Sequence, residues 1–504
     1  MIEASSTWKD VQQRFLLPET FVEIDCAVTE VGLQEATSIT GTNEAIFSEV
    51  EKARGLSDMT VRAKYATFEQ NLWALDGTRS ILPDDGPYPN AGYVSDIAQS
   101  GSVTLSLEEV HTTLIPGVTI DWSTEYEEYP HVFTVTAKNG DSIVAETTIT
   151  DNTSYHSVVD LDIAEYDNVT VTVHNWCLPD HRARIDKVYL GHILTFAKDD
   201  IISYTHDQYG DLLTGELPKY SIEFTVDNID GRWNPNNPTG MEKYLTERQK
   251  VTVRYGLDLD GVVEWIKAGT FYLSEWSAPA NGLEAKFAAR DLFEFLLNAD
   301  NKASIYSPLD GMAEWATDSL PDDAIVSVAP SLSAYSAEYL GDGTSAEVVQ
   351  KCANAGCCII RYGRDGALHI EPMDKTLTDF RIPLSLSYSH PEITLSKPLK
   401  MVSVDYGESR PYELPVFPTG ETQTVTNSFI TSEEQAALVA EWVRDVLGSR
   451  KTISGEFRAD PRLDLYDVVT VESKYGTLSP VVLTEVKYTY TGSFKGSYVG
   501  RILE

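Results

Sequence analysis

Apolar and polar residues alternate along this chain in short runs, separated by Gly, Asn, Asp and Pro. A period of two marks strands with one buried face, and the intervening residues are those that supply turns. Tyr220, Ile222, Phe224 and Val226 alternate with Ser221, Glu223, Thr225 and Asp227, which predicts a half-buried strand. Val251, Val253 and Tyr255 repeat the pattern. It returns at 131–137, around Phe133 and Val135, and at 168–174, around Val169, Val171 and Val173. There is no fixed-period repeat and no low-complexity tract.

Helical spacing is rarer. Ser432 and Gln435 predict a capping box, followed by Val439, Trp442, Val443 and Val446 at i, i+3, i+4 and i+7. Gly448 is expected as a left-handed C-cap, with Arg450 and Lys451 near the negative end of the helix dipole. A second helix is predicted from Ser345 to Gly356, with Val348, Val349 and Cys352 facing inward. Shorter candidates lie at 7–15, 43–54 and 291–298, the last opened by Asp291 and Glu294 as a cap pair. The predicted fold class is mainly β, a β-rich α+β chain.

At about 150 residues per domain, 504 residues predict three or four domains. A short arm (1–19) precedes strands at about 20–31 and 60–76, and the turn-rich stretch 83–92 closes this region. Residues 93–184 form an all-β block of sandwich size. Strands resume at Ile185 and run to about 300. A mixed α/β segment (301–390) carries the Cys352 helix and a hairpin turning at Gly363-Arg364-Asp365-Gly366. A last strand-rich region with one long helix occupies 391–504.

Charge narrows the function classes. Thirty-nine Lys and Arg stand against 77 Asp and Glu, a net charge of −38. That balance opposes wrapping nucleic acid or docking on an anionic membrane, because both need clustered cations. With 42% hydrophobic and 10% aromatic residues, the chain carries too much apolar material for a solvated coil, so the acids belong on folded surfaces. No apolar run approaches the roughly 20 residues of a membrane span, and the N-terminus lacks the features of a signal peptide. Five cysteines form no disulfide framework and fit a chain that folds reduced in a cytoplasm.

Candidate chemistry is sparse. No G-x-S-x-G, H-E-x-x-H or G-x-x-x-x-G-K-[ST] occurs. His181 beside Asp180 reads as a solvated loop after Pro179. Cys352, Cys357 and Cys358 lack the second pair that structural zinc prefers, and are expected as buried small hydrophobes. Asp258-Leu259-Asp260-Gly261 is expected as a hairpin turn, since Val262 and Gly269 stand where a calcium loop needs oxygen ligands. With 77 acids, some pair always lies at a glycosidase separation, so abundance carries no signal. Trp122, Tyr126, Tyr129 and Trp176 of the 93–184 block read either as sandwich core or as rings stacking on sugars. No enzyme activity, cofactor or metal is expected.

The stretch from Tyr220 to Pro235 (YSIEFTVDNIDGRWNP) resembles a signature of bacteriophage tail-tip proteins, "aromatic-T-L/V-D-N-x-D-G-R-aromatic-N-P". Its landmarks here are Phe224, Asp227, Asn228, Asp230, Gly231 and Trp233, with the Asx side chains expected to bond back to the turn and Gly231 to take φ > 0. Lys267 to Leu273 is similar to the family's "G-x-[FI]-Y-[VIL]" strand, and Ala285 to Asp291 to its strand with an Asp opening a helix. Gly363 to Ile370, with Asp365 and Gly366, resembles the "R-D-G-x-L-x-I" hairpin. The helix of Trp442 resembles the family's "A-x-x-x-A-x-W" helix. Asp460-Pro461 to Val469, with Asp467, resembles "D-P-x-L-x-L-G-D-x-V", except that Tyr466 replaces the usual Gly and is expected to avoid the left-handed region.

The resemblance covers about 60–80 and 185–504 and implies a tail-tip or baseplate hub of the contractile-tail hub and tail-associated protein superfamily. It implies two hub-type β-barrel domains, one from 20–92 joined to 185–300 and one at 391–504, with 93–184 as an inserted β-sandwich. The implied assembly is a homotrimeric ring, pseudo-sixfold, that continues the tail tube and gives DNA a channel. Implied partners are other copies, a tail tube or distal tail protein, a tape measure, and fibres or a spike. DNA is met only in passage, and part of the acidic charge is expected on the inner wall, where it repels phosphate. The implied location is the virion tail tip, after assembly in the host cytoplasm and without membrane insertion by this chain. Two rivals remain. A cell-wall hydrolase is disfavoured, because such domains follow the hub domains and the chain ends at Glu504 directly after its last strand pair. A receptor-binding role would use the sandwich to hold host polysaccharide through Trp122 and Tyr126.

Overall fold

The computed structural model describes residues 2–14, 18–41, 101–122, 127–177, 185–278, 282–297, 299–301, 303–321, 324–341 and 343–503. The strand expected at 60–76, the helix at 43–54, the turn at 83–92, His181 with Asp180, and Tyr126 lie outside these residues. The chain is mainly β and divides into two units. One comprises Met1–Asp25, Thr195–Asn237 and Lys250–Glu504; the other comprises Cys26–Leu194 and Pro238–Gln249.

In the first unit a single sheet gathers strands from distant parts of the sequence. From Thr20–Val28 it runs through Lys250–Leu259, Val262–Ser277, Glu284–Arg290, Lys219–Asp227 and Ile201–Tyr209. It continues through Leu478–Tyr490, Phe494–Ile502 and Lys451–Phe457 to Glu392–Leu395. The two strand-rich regions expected as separate barrels therefore meet edge to edge. Tyr204 pairs with Tyr490, His206 with Tyr488 and Gln208 with Val486. Alternation explains the sheet's two faces: Tyr220, Ile222, Phe224 and Val226 are buried, whereas Glu223 between them is exposed. The 258–261 segment is the expected hairpin turn, with Asp260 and Gly261 both at positive φ and Gly261 N–H donating to Asp258 Oδ1.

The helices follow their apolar spacing more closely than their caps. Glu433–Leu447 buries Val439, Val443 and Val446, and Trp442 is half-buried. Ser432 accepts from Gln435 N–H, but Gln435 Oε1 reaches Thr431 N–H rather than that of Ser432. Gly448 is right-handed (φ −59°) and so is not the left-handed cap expected of it. The helix Ser345–Ala355 is capped by Thr344 and Glu347, with Val348, Val349 and Cys352 fully buried. The left-handed residue after it is Cys357. The N-terminal helix spans Ser6–Gln12, and at 291–298 only Phe293–Leu296 is helical. Leu309–Ala316 is a helix without a side-chain cap bond, which is why its sequence gave no starting signal.

The second unit contains a five-stranded sheet ordered Ser38–Gly41, Gly101–His111, Tyr166–Trp176, Pro130–Asn139, Ser142–Ile149. A three-stranded sheet runs His156–Ile163, Ile115–Asp121, Lys187–Leu190. Their shared core includes Trp122, Phe133, Tyr166 and Trp176. Ser38–Gly41 thus belongs to the sandwich sheet, although the sequence reading grouped it with the first barrel. Pro238–Gln249 joins this unit through Tyr244 and Lys243, both of which bind Asp162.

Candidate functional site, the buried junction around Arg364

Within the first unit, the tight turn after Ile359–Tyr362 aims Arg364 into a buried polar junction. Gly366 takes φ +90°, donates N–H to Gly363 O, and leaves Asp365 Oδ1 to accept from Ala367 N–H. The guanidinium donates to Pro461 O (2.6 Å) and Leu463 O (2.5 Å), and its Nε lies 3.8 Å from Asp464 Oδ2. Its carbon stands 5.9 Å from the ring centre of Tyr255. Burial opposes the charge, but Asp464, Tyr488 and Tyr255 more than offset it, so the pKa stands above the usual arginine value.

The same pocket holds His206, whose Nδ1 is 2.8 Å from Tyr255 Oη, itself 2.9 Å from Tyr204 Oη. Burial, and then Arg364, push the imidazole well below its ordinary pKa, so it is neutral at pH 7. Tyr488 O–H donates to Leu463 O (2.8 Å), and Tyr362 O–H donates to Thr270 O (2.7 Å). Middle segment, first strand-rich region and last strand-rich region therefore share one polar core.

The Asp460–Asp467 turn is prepared to receive Arg364. Asp460 holds Arg462 in a buried two-pronged pair, with Nη2 2.6 Å from Oδ2, and Asp460 Oδ1 also accepts from Arg462 N–H. Pro461 supplies its carbonyl to Arg364, and Asp467 Oδ2 accepts from Asp464 N–H. Tyr466, expected to avoid the left-handed region, adopts φ +67°. That backbone costs about 1–2 kcal/mol for a residue with a Cβ. The surrounding bonds impose it, with Tyr466 N–H donating to Leu483 O and Leu483 N–H to Asp467 O. The ring is buried against Gly210, where a Cβ would stand 2.1 Å from Tyr466 Oη.

The signature turn forms a second cluster. Asp227 Oδ1 accepts from Ile229 N–H, Asn228 Oδ1 from Trp233 N–H and Asp230 Oδ1 from Arg232 N–H. Gly231 takes φ +69°. These bonds seat Trp233 edge-on to Phe287 at 5.1 Å, and Phe287 stacks on Phe224 at 5.1 Å.

At the other end of the strand Lys219–Asp227, buried Asp291 accepts from Tyr220 N–H and Phe293 N–H. Burial outweighs those bonds and pushes its pKa up to about 7. A raised carboxyl pKa contributes stability below the unfolded value near 3.9, and that contribution is lost as pH rises towards about 7. The melting-temperature difference between the wild type and Asp291→Asn is therefore expected to shift against the wild type from pH 4 to 7. A pH-independent difference would refute this.

Other candidates resolve simply. Trp122 is fully buried, edge-on to Phe133 and Trp176, so its ring is core and not available to a sugar. Burial raises the thiol pKa of Cys357 and Cys358 to about 12, and that of Cys352 as well. All three behave as packed thiols. No group of three metal-ligating side chains occurs among the described residues. A polar groove of about 320 Å³ lies beside the 211–215 loop, but Gln350 and Asn354 in its wall already bind Gly215 O and Leu213 O. Arg364 was legible in the sequence only as part of a turn; nothing there pointed to its carbonyl partners about a hundred residues on.

No protein-family model and no curated protein matches the sequence. Among solved structures, the chain is similar to the 43 kDa tail protein of prophage MuSo2 from Shewanella oneidensis. The TM-score is 0.45 at 13% identity, covering 62% of this chain and 94% of that one. A tail protein from Neisseria meningitidis MC58 gives 0.43 at 10% identity, covering 61% and 93%. The E. coli c3393 protein, a type VI secretion component described as similar to phage T4 tail proteins gp27 and gp5, gives 0.39 at 10% identity. It covers 60% of this chain and 74% of that one.

Proposed function

We propose that the chain is a structural protein of a phage tail tip or baseplate, a hub whose copies form a ring that continues the tail tube. The observation that carries this reading is the one sheet shared by the two strand-rich regions, locked by Arg364 at the junction of three family-like motifs. A ring wall under load needs segments that do not hinge on one another, and a continuous sheet over a common polar core provides that. The resemblance to tail hubs implies three copies, partners among other tail proteins, and a virion assembled in the host cytoplasm.

In this reading the chain is architectural and not catalytic. DNA passes through the channel without being held, because an acidic wall repels phosphate and releases no counterions. Light scattering of the purified protein tests the assembly. Three copies of 55.9 kDa predict about 168 kDa. A mass that stays at 55.9 kDa across concentrations contradicts it.

A further inference from the structure

We infer that residues 2–14 form a releasable strap, a segment that is ordered only when docked and whose docking tightens the turn that holds Arg364. The inference goes beyond the ring reading and does not depend on it.

The arm reaches from one strand-rich region to the other. Ser5 N–H and Oγ donate to the Glu264 carboxylate on the strand Val262–Ser277, at 2.8 and 2.5 Å. Ser5 Oγ also accepts from Trp8 N–H, so Glu264 holds the residue that caps the helix Ser6–Gln12. At the end of that helix Gln12 O accepts from Arg458 Nη2 (2.6 Å). Ahead of it, Ile2 N–H donates to Arg462 O (2.9 Å). Trp8, Val11 and Gln12 stand at i, i+3 and i+4 and form the buried face.

These contacts leave the arm two states. A helix of seven residues does not persist alone in water, because too few hydrogen bonds offset its nucleation. The arm is therefore docked and helical, or released and unfolded. Its docking bears on the junction through one turn. Pro461, Arg462 and Leu463 present three successive carbonyls, of which Arg364 binds the first and third and Ile2 the middle one. Peptide planes are rigid, so fixing the middle carbonyl restricts its two neighbours. Arm and Arg364 thus stabilise the same conformation, and by linkage each strengthens the other. Drawing the arm off loosens the junction.

Hydrogen exchange of the full chain, read by mass spectrometry over 6–12 and 219–227, tests both halves of the inference. In the wild type the helix amides should exchange about a hundredfold faster than the strand, through local release. Equal rates would overturn the strap, since the arm would then open only with the whole unit. Arg364→Lys touches no residue of the arm, yet it should speed exchange over 6–12 by about tenfold, the size of coupling that groups sharing partners show. Tyr488→Phe is the milder variant, removing only the hydroxyl on Leu463 O, and should act in the same direction. It decides the matter if Arg364→Lys does not fold. Arm exchange unchanged in the folded variants would overturn the coupling, because independent elements lose the same contact whether the arm is docked or released.

Discussion

Arg364→Ala is expected to lower stability by about 3–5 kcal/mol, the usual cost of removing one partner from a buried charged pair. Pro461 O loses its guanidinium donor, Leu463 O keeps only the Tyr488 hydroxyl, and the Asp464 carboxylate loses the nearby positive charge. The carbonyls cannot recover water, because Pro461 O and Leu463 O face a junction sealed by Tyr255 and Tyr488. Arg364→Lys should recover only part of the loss, since an ammonium cannot reproduce a fork that spans two carbonyls. Calorimetric melting of the three proteins checks this. A loss under about 1 kcal/mol for the alanine variant would show that the junction is not what joins the segments.

Trp233→Ala is expected to cost a similar amount, about 3–5 kcal/mol, through a cavity. The indole is buried, stands 5.1 Å from Phe287 and 6.0 Å from Phe196, and its Nε1 makes no hydrogen bond among the described residues. The loss is therefore packing. Trp233→Phe should retain most of the stability, while Asn228→Ala, which removes the acceptor for Trp233 N–H, should cost about 1–3 kcal/mol. Denaturant midpoints for these three variants test the order. An Asn228 variant worse than the Trp233 variant would mean that the turn, rather than the ring, holds this cluster.

Much of the fold could be read from period and turn chemistry. The strand Lys219–Asp227, its Asx turn, the 258–261 and 363–366 turns and the two longer helices all follow from local rules. Those rules fail where distant contacts decide. Tyr466 is left-handed because Leu483 and Asp467 hold its neighbours, which no local reading of a tyrosine predicts. Gly448 stays right-handed although glycine favours a left-handed cap. Trp122 left two readings open, sugar platform or core, and only the two-sheet packing chose core. The union of 201–209 with 478–490 was invisible for the same reason. Alternation says that a strand has a partner, not which one.

The ring itself is tested most directly by a projection image and three-dimensional reconstruction of the purified assembly. A threefold ring with an open centre wide enough for duplex DNA, and with more Asp and Glu than Lys and Arg on its inner wall, is the predicted result. A particle with no central opening, or one whose opening is lined mainly by cations, would contradict it.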